Sequence, residues 1–301
     1  MINILFNFKD IELTDKKIFD SYFQSQKYWG SECSFSNLFA WRKCYHIRWM
    51  EQDNMLFIRV NRNDVEFFLP PFPKQNASIM DGFNMQLEYI QKDPKCEIHG
   101  IYADIKESVP ESFWNNFEML SDRDNYDYIY SREELSTLSG RKFHSKKNHL
   151  NAFKKLFPNY QYQNVTPELF PQCVEFLKRW FSAKEGTDYS IRCEMSAINQ
   201  ILSNFEILKM RAGCIMIDGQ VEAFTYGEAI NDNLAVIHIE KANPSIRGLY
   251  AAINQEFCKN AWADVEFVNR EEDMGIPGLR QAKLSYNPVF LLEKYSAILK
   301  R

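Results

Sequence analysis

The dipeptide Asp218-Gly219 lies between two runs of β-forming residues, 208–217 and 221–229, and no other local feature constrains the fold as much. A two-residue loop of this composition takes both central residues to positive φ, the geometry that joins antiparallel strands without splaying them. A third run, 234–240, follows within hairpin reach, so this stretch predicts an antiparallel meander. A second meander is predicted in the first half, where segments 46–51, 55–61 and 65–69 are joined by Asp53-Asn54 and Arg62-Asn63-Asp64 and stopped by Pro70, Pro71 and Pro73.

Helices flank both meanders in the same order. In the first half Thr14 can cap a helix over 14–27 whose Ile18, Phe19, Tyr22 and Phe23 share one face, and a shorter helix covers 34–43. After the meander come a helix over 79–91, a strand over 97–102, a helix near 108–120 and a strand over 126–130. In the second half a helix over 144–157, a strand over 160–164 and helices over 168–184 and 191–205 precede the meander. A helix over 249–263 and strands over 265–269 and 289–295 follow it. Only the element order repeats, not the residues. The expected fold is α+β, in two domains of residues 1–135 and 136–301, each a mainly antiparallel mixed sheet flanked by helices.

With 301 residues, 45% of them hydrophobic and 15% aromatic, the chain can build one core per domain, which excludes a disordered or fibrous protein. A formal charge of −4 argues against a wholly basic nucleic-acid binder. Lys9 and Asp10 interrupt the apolar start and no basic segment precedes it, so no export signal is expected. No run of apolar residues is long enough for a membrane span, and a cytoplasmic location is expected. The seven cysteines form an odd set without a C-x-x-C pair and the histidines show no ligand spacing, so no metal site is expected.

Three segments carry chemistry. The strand 234–240 runs through Asn243-Pro244-Ser245-Ile246-Arg247-Gly248 into a helix, the layout of an anion cradle in which Gly248 allows close approach to the backbone. Two-residue spacing would put His238 and Glu240 on one face of that strand. A second block packs Glu271, Glu272 and Asp273 with Gly275 and Gly278 at the end of a strand, followed by Arg280, Lys283 and Tyr286 at helical spacing. Between residues 135 and 167 there is no acidic side chain, while Arg141, Lys142, Lys146 and Lys147 open a basic helix suited to phosphate.

The blocks Ser34-Phe-Ser-Asn-Leu-Phe-Ala-Trp41-Arg42, Glu240-Lys-Ala-Asn243-Pro244 through Gly248-Leu-Tyr250, and Asn269-Arg-Glu-Glu-Asp-Met-Gly275 through Tyr286 resemble a bacterial family similar to the C-terminal domain of phosphatidylglycerol lysyltransferase. The resemblance implies two tandem copies of the acyl-CoA N-acyltransferase (GNAT) fold, related to the Fem-type aminoacyltransferases. It also implies an acyl- or aminoacyltransferase whose donor, small or RNA-linked, is an acyl-CoA or an aminoacyl-tRNA and whose acceptor is an amine or hydroxyl. In that reading His238, Glu240 or Glu272 takes the proton and Tyr286 protonates the leaving group. Asn243, Ser245, Arg247 and Gly248 hold the donor phosphates with Arg141, Lys142, Lys146 and Lys147, while Glu271, Asp273, Arg280 and Lys283 line the substrate site. The first domain is expected to lack a working site. The alternative is a duplicated fold that keeps a pocket without turnover and recognises an acyl-CoA, a nucleotide or RNA.

Overall fold

The structure, a computed structural model, describes residues 6–24, 26, 28–183 and 188–300. The ends of two expected helices, at Lys27 and Lys184, lie outside the described residues. The chain forms two compact units, Met1–Tyr126 with Leu292–Arg301, and Asp127–Leu291. The division falls ahead of the expected 135/136 boundary, and the last strand returns to the first unit.

Local turn chemistry sets both meanders. Asp53, Asn54, Asn63, Asp64, Asp218 and Gly219 all have φ between +49° and +78°, as two-residue hairpin loops require. In the first unit they connect Arg48–Gln52, Met55–Arg62 and Val65–Phe68; in the second, Asp218-Gly219 joins Arg211–Ile217 to Gln220–Asn231, and Leu234–Ala242 follows. Each meander then accepts one parallel strand after a helical crossover. Glu97–Tyr102 joins the first through Phe67–Glu97 and Phe68–Ile98, after the helix Ile79–Lys92. Phe267–Asn269 joins the second through Leu234–Phe267, Ala235–Val268 and Val236–Asn269, after the helix Leu249–Asn260.

The second sheet runs Phe290–Leu292, Asp127–Ser131, Phe267–Asn269, Leu234–Ala242, Gln220–Asn231, Arg211–Ile217, Gln161–Asn164. Its core gathers Tyr128, Tyr130, Ile215, Ala235 and Ile237 from the sheet with Phe153, Leu249, Ile253 and Phe257 from the helices on one face and Trp262 from the loop that follows the second helix. On the opposite face Arg179 of the helix Phe170–Ser182 donates to the Val221 carbonyl, and Lys241 pairs with Glu194.

Two elements differ from expectation. The helix expected near 108–120 is only Glu111–Trp114, and Phe117–Ser121 is a strand paired with Lys294–Leu299. Its partner lies near the far end of the chain, so a cross-strand ladder overrides local propensity. The single strand expected over 289–295 is two, Phe290–Leu292 and Lys294–Leu299, broken at Glu293 and assigned to different sheets.

Candidate active site

The strands Gln220–Asn231 and Leu234–Ala242 keep a simple antiparallel register until Tyr226, which faces Ile239; Gly227 then faces Ile237, leaving His238 as an extra residue. This is a β-bulge. Gly227 is required opposite it, because a Cβ there would stand 2.2 Å from the Val236 carbonyl oxygen. The bulge breaks the alternation of the strand, so His238 and Glu240 do not share the face that their spacing predicts. His238 turns to Glu228 and Tyr226, while Glu240 turns to Asn254 of the Leu249–Asn260 helix on the core side.

Beyond the Val236–Asn269 pair the two parallel strands part, and the diverging chain from Arg270 onward opens a V against Ile237–Ala242. An ion pair ties the arms on each face. His238 Nδ1 lies 2.7 Å from Glu271 Oε1, and Arg270 Nη2 donates to Glu240 Oε1 at 2.8 Å.

On the first face, His238 Nε2 also lies 3.0 Å from Glu228 Oε1. Burial alone would lower the imidazole, but hydrogen bonds to the two carboxylates overrule it and hold its pKa at about 10. The expected base is therefore a cation at neutral pH, with both ring nitrogens engaged. Glu271 is held beside this cation by its own backbone. Its backbone N–H donates to Asn269 Oδ1 at 2.6 Å, and Asn269 Nδ2 donates to buried Asp127 at 2.8 Å. Its φ of +58° is unusual for a residue with a Cβ and is maintained by these contacts. Glu271 Oε1 faces His238, whereas Oε2 has no hydrogen-bond partner among the described residues.

On the core face both oxygens of Glu240 are taken, the second by Asn254 Nδ2 at 2.8 Å. The Arg270 guanidinium lies 4.6 Å from the ring centre of Tyr286 and 5.5 Å from that of Tyr130. Burial opposes its charge, but Glu240 more than compensates and raises its pKa. Lys146 Nζ covers the Tyr286 ring at 4.1 Å, and burial together with Arg270 pulls its pKa down to about 8. Burial pushes the Tyr286 phenol up, so it keeps its proton at neutral pH. Lys146 thus leaves the basic face expected of it. Arg141, Lys142 and Lys147 are exposed, with Lys142 paired to Glu134 at 2.6 Å.

Asp273 and Lys283 build the loop rather than line a cleft. Buried Asp273 accepts from Arg280 Nε and Nη2, each at 2.8 Å, from Tyr128 Oη at 2.5 Å and from the Gly275 N–H at 2.9 Å. Burial would raise this carboxyl, but these donors hold it well below the usual carboxylate range. Lys283 Nζ donates to the carbonyl oxygens of Arg270, Glu271 at 3.0 Å and Glu272 at 2.6 Å, filling all three ammonium positions. Burial depresses its pKa to about 8. The Glu272 side chain is half-buried. An open groove of about 570 Å³ runs along the Pro277–Leu284 helix, and of the expected site residues only Arg280 lines it.

The expected cradle is largely filled by its own loop. Asn243 Oδ1 accepts from the Ser245 N–H at 3.0 Å, its Nδ2 donates to Glu222 at 2.8 Å, and the Ile246 and Leu249 amides bond within the turn. Gly248, at φ +86°, permits close approach not to a phosphate but to the His144–Leu156 helix: an added Cβ would stand 2.1 Å from the His149 carbonyl oxygen. Arg247 Nε lies 3.4 Å from His149 Nδ1. Gly248→Ala is expected to destabilise the protein by about 2–3 kcal/mol through clash and left-handed strain combined. Urea denaturation checks this, and a loss below about 0.5 kcal/mol would show that the helix moves aside freely.

Glu228, Asn254 and Arg270 belong to this constellation and were not singled out from the sequence. Gly227 in mid-strand was the available signal, since an isolated glycine there marks a bulge or close backbone approach.

An antiparallel meander that takes on a parallel strand, repeated in two units and splaying from it in the second, defines a tandem GNAT-type fold. A family model described as phosphatidylglycerol lysyltransferase, C-terminal, matches residues 23–298, and the chain belongs to that family. It is similar to a conserved protein of unknown function from Bacteroides thetaiotaomicron, with 34% identity, 98% of this chain and 100% of that one covered, and a TM-score of 0.89. FemX matches in fold at 9% identity and TM-score 0.61, over 98% of this chain and 97% of its own. A tandem GNAT protein from the clavulanic acid biosynthesis pathway matches at 8% identity and TM-score 0.50, over 96% and 97%. A curated relative from Mycoplasmoides gallisepticum, described as uncharacterized, is 24% identical over 169 residues, and the match spans about half of its length (54%). Among the described residues no helix is long and apolar enough to cross a membrane, and no group of three or more His, Cys, Asp or Glu side chains is placed to hold a metal ion.

Proposed function

We propose that the second unit is an acyl- or aminoacyltransferase that moves an activated acyl group from an acyl-CoA or aminoacyl-tRNA to an amine or hydroxyl at the V. The observation that carries this reading is Glu271, a carboxylate fixed by His238 and Asn269 with one oxygen left over. The acceptor attacks the donor carbonyl carbon, and its proton passes to Glu271 Oε2. Backbone amides on the edge of Ile237–Ala242 that faces the V hold the oxyanion. Collapse of the tetrahedral intermediate breaks the bond to the thiol or ribose oxygen, which Lys146, with a pKa of about 8, protonates. His238, Glu240 and Tyr286 are positioning residues: His238 orients Glu271, Glu240 holds Arg270, and the Tyr286 ring seats Lys146.

The competing reading, a binding protein without turnover, is favoured by the cradle amides already spent within the Asn243–Gly248 turn. Both are tested by incubating the purified protein with radiolabelled aminoacyl-tRNA or acetyl-CoA and a panel of amine and hydroxyl acceptors. Transfer predicts acceptor-dependent release of tRNA or CoA. A donor that is retained on the protein but stays intact under every acceptor would replace the transferase with the binding protein.

A further inference from the structure

Lys146 is the third residue of the His144–Leu156 helix, at the end where unsatisfied backbone N–H groups disfavour a cation. No acidic residue stands between 135 and 167, so its own helix offers it no counter-charge. Its neighbours Lys142 and Lys147 are exposed, whereas Lys146 is half-buried with Nζ 4.1 Å from the centre of the Tyr286 ring. Nζ has no hydrogen-bond or ion-pair partner among the described residues.

The groups that face it from other elements do not neutralise it either. The Arg270 guanidinium shares the same ring, 4.6 Å from its centre. Glu240 acts on Lys146 from a distance, but one of its oxygens accepts from Arg270 and the other from Asn254, each at 2.8 Å. Tyr286 keeps its phenol proton and adds no charge. Burial and Arg270 therefore outweigh Glu240 and bring the Lys146 pKa down to about 8. At pH 7 about a tenth of the amine is then neutral, roughly two hundred times the fraction for an ordinary lysine near 10.4. A desolvated lysine beside a second cation is an activated nucleophile. Lys283 has a similarly lowered pKa, but three backbone carbonyls hold its N–H groups and keep it out of chemistry.

We propose that Lys146 is a self-acylation site, which takes a short acyl group from a thioester without help from the proton acceptor at the V. The neutral Nζ attacks the thioester carbonyl carbon. The N–C bond forms, the C–S bond breaks, and the proton lost by nitrogen ends on the departing thiolate. The products are an amide on Lys146 and a free thiol. The amide is too stable to pass the group on, and it removes one of the two cations from the Tyr286 ring. On the transferase reading it also removes the leaving-group acid, so acylation shuts off transfer. That consequence rests on the reading given above, whereas the modification itself does not.

The test incubates the full chain with S-acetyl-N-acetylcysteamine, a thioester without a nucleotide, and follows acetyl-lysine at each position by peptide mass spectrometry. At pH 7 Lys146 should be acetylated about tenfold faster than Lys147, an exposed residue of the same helix. The advantage is smaller than the gain in neutral amine because a less basic nitrogen attacks more slowly. The Lys146 rate should rise with pH and level off above about 8. Glu271→Gln, which slows transfer, should leave the acetylation rate unchanged, so failure of the transferase reading and failure of this one give different results. Acetylation of Lys146 no faster than that of Lys147, or a Lys146 rate that still climbs tenfold per pH unit above pH 9, would overturn the proposal. Loss of the modification in Glu271→Gln would overturn it as well, by making the adduct a product of transfer at the V.

Discussion

Glu271→Gln is expected to lower kcat for transfer by roughly 10²–10³-fold while leaving donor affinity within about twofold. The amide is nearly isosteric and can still accept from His238 through its oxygen, so the arms of the V remain tied on that face. What is lost is the oxygen that takes a proton. The second oxygen of Glu271 has no hydrogen-bond partner among the described residues, and the imidazolium between Glu271 and Glu228 cannot substitute while its pKa stands at about 10. Single-turnover measurements with saturating donor separate the chemical step from binding. If the variant transfers within about threefold of the parent, Glu271 is an anchor and the proton leaves by another route. If donor affinity collapses together with kcat, the side chain positions the donor and the V has been given the wrong role.

Asp273→Asn is expected to cost about 3 kcal/mol of stability at pH 7, because it removes the charge at the centre of a fully buried acceptor site. Four donors converge on that carboxylate, two of them from Arg280, and an amide can accept from only part of the set. Arg280 is one-third exposed, so its orphaned charge reaches water, and this keeps the cost at the lower end for a broken buried pair. The pH dependence follows from the direction of the shift. A carboxyl whose folded pKa is depressed below the unfolded value of about 3.9 contributes fully above that value and loses its contribution as pH falls toward the folded pKa. The stability gap between parent and variant should therefore be constant from pH 7 to pH 5 and shrink below pH 4. Urea titrations across that range measure it. A gap that stays constant down to pH 2 would assign the loss to packing.

The loop that Asp273 stabilises also carries Glu271, so the two predictions meet in one segment. Loosening the Arg280–Asp273 anchor should lower transfer by misplacing Glu271.

How far the sequence alone reached follows the range of the interactions involved. Asp53-Asn54, Asn63-Asp64 and Asp218-Gly219 dictate their hairpins because positive φ is a property of a few residue types over two positions, and both meanders appear where those turns put them. Ser34 caps the helix Phe35–Trp41 through its own hydroxyl, accepting from the Asn37 N–H at 3.1 Å, which is equally local. The blocks around Asn243–Gly248 and Asn269–Tyr286 were legible as a candidate site for the same reason: strand, turn and helix follow one another in the chain. What a given side chain does within that site was not. His238 becomes an imidazolium only because a bulge aims it between Glu228 and Glu271, and Lys146 leaves its basic face only because Tyr286 and Arg270 come beneath it. Asp273 and Lys283, which the sequence reading places at the substrate site, turn inward to satisfy backbone and side-chain groups that exist only once the loop has closed. Phe117–Ser121 is a strand because Lys294–Leu299 arrives from the far end of the chain to pair with it. Backbone propensity acts over a few residues, whereas protonation state, face and pairing depend on neighbours brought together across a hundred or more, and only the folded chain supplies those.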